Sequence, residues 1–230
     1  HHAQNLRARG GDDLAFLLYW RGVDEILGIA EEPAARAHPL GDALQAFEHG
    51  GEHRLLGGAG AVVLEEYEHA VSRNAKIYAE ITGYSTFGSA AHMSQSDKKS
   101  MMYCMNEVLK DSNIAPKQID YINAHATGTA QGDKEEAEAI KGIFGDSVPV
   151  SSLKGYIGHT LGASGAIELI ASLIMMKNGI IYPTLNLDEI SPDCEGFNHV
   201  TKPVKKEVNT ILKNCFAFGG INASMICKRV

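Results

Sequence analysis

The stretch VPVSSLKGYIGHTLGASGAIELIASLIMMK, Val148–Lys177, decides how this chain folds. Val148 to Ser152 has the character of a short strand. A loop follows that carries Lys154, His159 and the glycines Gly155, Gly158 and Gly162. From Gly162 to Lys177 the residues are apolar on almost every side of a 3.6-residue turn, which predicts a helix buried nearly all round. A strand that hands over through a glycine-rich loop to a buried helix is the unit of an α/β layered fold.

The same alternation extends in both directions. Ile119–Ala124 (IDYINA) predicts a short strand. Asp133–Phe144 (DKEEAEAIKGIF) predicts a helix, with Asp133 three residues before Glu136 in a capping-box-like spacing. Asp97–Asp111 predicts a second helix, its Met101, Met105, Val108 and Leu109 spaced i, i+4, i+7 and i+8. Lys76–Tyr84 (KIYAEITGY) alternates with period two, as a half-buried strand does. Ala61–Leu64 has strand character, and a short helix begins at Glu65. Toward the N-terminus, Asp12–Leu27 reads as a helix capped by Asp12 or Asp13, and residues 31–54, with Pro33, Pro39 and Gly41, read as loop. At the other end, Ile211–Cys215 and Ala223–Lys228 are two strands joined by the turn FAFGGIN, which closes a mixed sheet.

Composition narrows the class. The 230 residues carry a formal charge of −7, with 44% hydrophobic and 21% charged residues. That is ordinary globular usage, which excludes a disordered or collagen-like chain and leaves room for a sizeable core. The longest strongly apolar stretch, Ala166–Met176, contains Glu168 and is too short to span a bilayer. The N-terminus lacks a basic-then-apolar leader pattern. Cys104, Cys194, Cys215 and Cys227 form no CxxC pair, so no zinc or other metal site and no disulfide framework is expected, and the expected location is the cytoplasm. Mild acidity argues against nucleic acid as a partner. The charge is uneven: residues 1–74 hold six Arg, no Lys and twelve acids, whereas residues 75–230 hold fourteen Lys, one Arg and sixteen acids.

Three loops carry polar residues that a plain core would not need. The first, Asn123–Thr129 (NAHATGT), follows the IDYINA strand, and ligands in open α/β sheets bind beyond the carboxyl ends of strands. There His125 offers an imidazole, and Thr127 and Thr129 offer hydroxyls. In the second, within Ser151–Gly165, His159 stands near the start of the buried helix. The positive end of the helix dipole favours a neutral imidazole there. The third, Asn214–Asn222 (NCFAFGGIN), sets Phe216 and Phe218 beside Gly219 and Gly220. Each loop alone also reads as an ordinary turn; no dinucleotide fingerprint or P-loop is present.

Together and in this order, NAHATGT, SSLKGYIGHTLGASGAIE and NCFAFGGINAS resemble the β-ketoacyl synthases, with support from GAGAVVLEEYEHA and TLNLDEISPDC. The resemblance covers Leu55–Val230, so residues 55–230 are expected to be a ketosynthase C-terminal domain, and residues 1–54 an N-terminal segment that matches the family poorly. It implies a thiolase-like αβαβα fold, of which this chain holds mainly the C-terminal half. It also implies a decarboxylative Claisen condensation of an acyl chain with malonyl-acyl carrier protein, in fatty-acid or polyketide elongation. His125 and His159 match the family's catalytic histidines, and Lys154 its site lysine. Glu168 matches the buried helix glutamate that organises the site. Thr127 and Thr129 match positions that line the phosphopantetheine arm. Phe218 matches the gating phenylalanine, with Phe216 and Gly219 beside it in the gate and oxyanion turn. No cofactor bound to the chain itself is implied; the substrate rides on the phosphopantetheine of acyl carrier protein.

The sequence departs from the family at Cys215, usually Ser, at Ala217, usually Gly, and at Ala126, usually Gly or similar. The larger departure concerns the nucleophilic cysteine, which the family places on a strand-to-helix elbow in its N-terminal half. No cysteine here has that setting. The expectation is half of a site, with the nucleophile supplied elsewhere, and a homodimer or heteromer as the working state. The alternative is a non-catalytic partner subunit like a chain-length factor; retention of both histidines favours the first. Thiolases, a third option, fit the two-histidine pattern poorly.

Overall fold

A computed structural model describes residues 14–17, 57–90 and 97–230. Its strands are β1 (Leu14–Leu17), β2 (Val63–Glu66), β3 (Glu80–Gly88), β4 (Tyr121–Asn123), β5 (Pro149–Ser151), β6 (Ile180–Ile181), β7 (Asn198–His199), β8 (Val204–Lys205), β9 (Thr210–Ala217) and β10 (Ile221–Lys228). The helices are α1 (Tyr67–Ser72), α2 (Lys98–Asp111), α3 (Ala130–Phe144), α4 (Lys154–Ile157) and α5 (Ser164–Asn178). Among the described residues, eight strands form one sheet in the order β2-β1-β3-β10-β9-β4-β5-β7, and β6 and β8 form a separate pair. From β2 to β9 neighbours run antiparallel; β9, β4, β5 and β7 run parallel.

Period-two alternation divides the core between the sheet's two faces. Tyr121 and Ile211 point to the face covered by α5, joining Leu169, Ile170, Leu173 and Met176. Their neighbours Ile122 and Leu212 point to the opposite face, covered by α2 and α3 through Met101, Met105, Val108 and Ile140. Helix α2 follows its sequence pattern: Asp97 caps it by accepting the Ser100 N–H at 2.9 Å, and Met101, Met105, Val108 and Leu109 are buried. Helix α5 is buried along most of its length, as its all-round apolarity requires.

Several sequence expectations need correction. Glu65, expected to begin a short helix, lies in β2, and α1 starts at Tyr67. Leu14–Leu17, expected inside a helix, is a strand paired with β2 and β3. Leu14–Trp20 (LAFLLYW) is an unbroken apolar run that fits either period, and here sheet pairing decides it. The rest of Asp12–Leu27, and the loop of residues 31–54, lie outside the described residues. The Lys76–Tyr84 strand is displaced: β3 starts at Glu80, opposite Lys228, and runs to Gly88, opposite Ile221. Pairing with β10 thus fixes its ends. Helix α3 starts at Ala130, so Asp133 is not its cap; it lies in the first turn and accepts the Gly128 N–H at 3.1 Å. The buried helix starts later than Gly162: Leu161–Ala163 is a short 3-10 turn, and α5 begins at Ser164.

Candidate active site

The three polar loops leave the carboxyl ends of three adjacent parallel strands, β9, β4 and β5. This brings His125 and His159 together. Their ring centroids are 5.6 Å apart with the planes at 82°, and Phe216 stands 6.3 Å from His125 on another side. Ser164, the first residue of α5, fixes the second ring: its Oγ lies 3.0 Å from His159 Nδ1 and accepts the Thr160 N–H at 3.1 Å. His125 Nδ1 is buried with no hydrogen-bond partner.

The charged residues lie beneath the histidines. Lys154 Nζ donates to the His125 carbonyl and, at 2.6 Å, to Glu168 Oε1. Glu168 is fully buried on α5. Its other oxygen accepts no hydrogen bond but forms an ion pair with Lys213 Nζ at 2.6 Å, while Lys213 donates to the Asn214 carbonyl. Burial pushes the Lys154 ammonium below its usual range; the Glu168 carboxylate opposes that and Lys213 adds to it. Burial is also the main reason the His125 imidazole is pushed down to about 2, with the charges of Lys154 and Lys213 acting in the same direction. The ring is therefore neutral at neutral pH, with one donor and one acceptor nitrogen.

The remaining expected residues sit at the rim. Thr127 and Thr129 lie beyond His125, with their hydroxyl oxygens 3.1 Å apart. Phe218 and Gly219 form the tip of the β9–β10 turn. Gly219 has φ +80°, which an L side chain rarely adopts, and Phe218 is 71% exposed. The ring contact to His125 comes not from the turn but from Phe216, two residues before Phe218 and inside β9.

The sequence reading missed three residues of this cluster. Glu136, expected to help cap α3, instead accepts the N–H groups of His125 at 2.9 Å and Ala126 at 2.7 Å. Burial raises its carboxyl above the usual range. Asn214 donates to Glu136 at 3.3 Å and accepts from Ser224 at 2.9 Å. Lys213 is the third. It is 5% exposed although it lies in a strand, where a lysine would be expected to face water.

This mixed sheet between helix layers, with its polar loops gathered at the carboxyl ends of β9, β4 and β5, has the thiolase-like architecture of the ketosynthases on which it superposes. The model of the β-ketoacyl synthase C-terminal domain matches residues 78–188. The chain is 40% identical over 194 residues to 3-oxoacyl-[acyl-carrier-protein] synthase 2 of Coxiella burnetii, covering 82% of this chain and 47% of that protein. Among solved structures, a β-ketoacyl synthase from Burkholderia phymatum superposes with a TM-score of 0.71 at 44% identity, over 74% of this chain and 41% of that one. A ketosynthase in complex with its type II PKS acyl-carrier protein superposes with a TM-score of 0.70 at 35% identity, over 74% of this chain and 43% of that one. The chain is a C-terminal half of the β-ketoacyl synthase family, and it spans about half the length of the curated relatives it matches.

Proposed function

We propose that this chain supplies the two-histidine half of a β-ketoacyl-[acyl carrier protein] synthase site. The observation that carries this reading is the pair His125 and His159, rings 5.6 Å apart, on loops from two different strands. The neutral His125 imidazole and the His159 imidazole donate to the thioester oxygen of a malonyl group held on acyl carrier protein. As the bond to the carboxylate breaks and CO₂ leaves, the electron pair moves onto that oxygen. Donors held in place before the charge develops stabilise the enolate. The enolate carbon then attacks an acyl thioester on a cysteine, and the thiolate leaves. Lys154 and Glu168 hold the His125 loop. Thr127 and Thr129 line the arm of the carrier, and the Phe218 N–H takes part in the oxyanion hole of the acyl group.

The nucleophilic cysteine comes from outside the four thiols of this chain. The likeness to a ketosynthase solved with its acyl-carrier protein supports a carrier protein as partner. Exposed Val63, Leu64, Tyr84, Tyr103 and Ile221 support association with a second subunit, which sedimentation tests. The decisive measurement is CO₂ release from malonyl-acyl carrier protein by the assembled protein. His125→Ala and His159→Ala should each raise the barrier by at least about 3 kcal/mol, the scale of one lost oxyanion donor. Near-normal release by both variants overturns the assignment. A wild-type protein that releases no CO₂ while still pairing with an active synthase points to the chain-length-factor-like role instead.

A further inference from the structure

Two consecutive residues of β9 meet the His125 peptide from opposite faces of the sheet. Lys213 points to the α5 face, where its ammonium holds Glu168 Oε2 at 2.6 Å; Glu168 Oε1 holds Lys154 at 2.6 Å, and Lys154 donates to the His125 carbonyl. Asn214 points to the α2–α3 face, where it donates to Glu136, and Glu136 accepts the His125 N–H. The carbonyl and the N–H of one residue are thus both anchored, through two glutamates on two helices, to adjacent positions of one strand. The same strand carries Phe216, whose ring lies 6.3 Å from the His125 ring.

We propose that Lys213 is a positioning residue for His125, acting through Glu168 and Lys154. The proposal rests on the two-histidine reading above and adds to it the residue that holds the loop from beneath. A single lysine suffices to neutralise Glu168, and a strand position that faces a core normally carries an apolar side chain. Lys213 instead brings a second buried ammonium to the same carboxylate. With one ammonium on each oxygen, Glu168 is restrained at both oxygens, and Lys154 has one place to go. Without Lys213, Oε2, which accepts no hydrogen bond, loses the ammonium charge beside it, and the carboxylate can turn or take both oxygens to Lys154. In either case the His125 carbonyl loses its fixed donor. Among the described residues, Lys154, Lys213, Glu168, Glu136 and His159 are the charged and titratable groups around His125, so removing Lys213 also changes the charge balance around the ring.

The test uses Lys213→Met, Glu168→Gln and the double variant, each in the full chain assembled as the wild type is. Two quantities are read: the imidazole NMR signals of ¹³C,¹⁵N-histidine-labelled protein without substrate, and CO₂ release from malonyl-acyl carrier protein. Lys213→Met should displace the His125 signals and leave those of His199, whose ring bonds the Cys194 carbonyl, in place. It should lower kcat roughly ten- to a hundredfold with KM within about twofold, as small misplacements of a reacting group do. In the Glu168→Gln background the same substitution should add less than about twofold, because residues that act through one another do not add. His125 signals unmoved by Lys213→Met overturn the proposal, and so does an undiminished effect of Lys213→Met in the Glu168→Gln background. Should Lys213→Met fail to fold, recovery of folding in the double variant supports the coupling and continued failure refutes it. The signals are read without turnover, so a wild type that releases no CO₂ sinks the function reading while the histidine spectra still decide the role of Lys213.

Discussion

The Glu136 carboxylate accepts the backbone N–H of His125 at 2.9 Å, so a helix residue eleven positions later in the chain sets the strand exit that carries the histidine. Glutamine at 136 has one acceptor oxygen where glutamate has two, so at least one of the His125 and Ala126 N–H groups loses its partner. An unpaired buried donor costs about 1–3 kcal/mol. Glu136→Gln should lower unfolding stability by that amount in denaturant melts, and lower CO₂ release with it. A variant as stable as wild type would mean that solvent replaces the carboxylate and that the contact is incidental.

The depressed imidazole of His125 makes stability depend on pH with a definite sign. Above the ordinary value of 6.5 the ring is neutral folded and unfolded, and contributes nothing. As pH falls below 6.5 the unfolded chain takes up a proton that the folded one refuses until about 2, and stability is lost. One proton corresponds to about 1.4 kcal/mol per pH unit, so about 2 kcal/mol goes between pH 6.5 and 5. The raised Glu136 carboxyl acts the other way, adding stability at low pH that is lost as pH rises. Denaturant titrations of wild type and His125→Phe at pH 7, 6 and 5 isolate the histidine: the variant should lack this part of the decline. Parallel curves would show that His125 takes up its proton in the folded state as readily as in the unfolded one.

Gly155 follows Lys154 at the start of α4, and its backbone lies against the loop that follows β6. A Cβ there would stand 2.7 Å from the Leu185 carbonyl oxygen and 2.9 Å from Leu185 Cβ. Both are nearer than packed atoms tolerate, and one belongs to the backbone, so α4 or the Leu185 segment must move. Gly155→Ala should cost about 1–3 kcal/mol of stability, the range for overpacking. It should also reduce CO₂ release, because the displaced turn carries the Lys154 ammonium. Unfolding at the wild-type denaturant midpoint would argue against the tight contact.

Much of the frame was legible in the sequence because it rests on local signals. Asp97 and the i, i+4, i+7 stripe after it specify α2, and paired glycines in FAFGGIN specify the β9–β10 turn. The strand at Leu14–Leu17 was not, since an unbroken apolar run fits either period and the choice falls to sheet partners elsewhere in the chain. The histidine loops stood out because polar residues gathered after strands. Glu136 and Lys213 did not: the first looks like part of a helix start, and the second like an ordinary strand lysine. Only the meeting of β9 with α3 and α5 gives those charges buried partners.

The thiols of this chain should resist acylation by an acyl thioester. A nucleophilic cysteine needs a helix N-terminus, a cation or a base to favour its thiolate. Cys227 is fully buried in β10, and burial pushes its thiol up to about 12, so the thiol form prevails at neutral pH. Cys104, fully buried in α2, donates to the Ser85 carbonyl at 3.3 Å, and burial raises its thiol. Cys194 is raised by burial and by the neighbouring carboxylates Asp133 and Asp193. Cys215 is the one to watch. It is half-buried on β9, two residues after Lys213 and next to Phe216, and it is paired across the sheet with Ala223. Extended strand backbone gives its sulfur no helix N-terminus. Incubation of the chain with an acyl-carrier thioester, followed by digestion and mass spectrometry, should return all four cysteines unmodified. Stoichiometric acylation of Cys215 would show that the chain carries its own nucleophile beside the two histidines and that its site is whole rather than half.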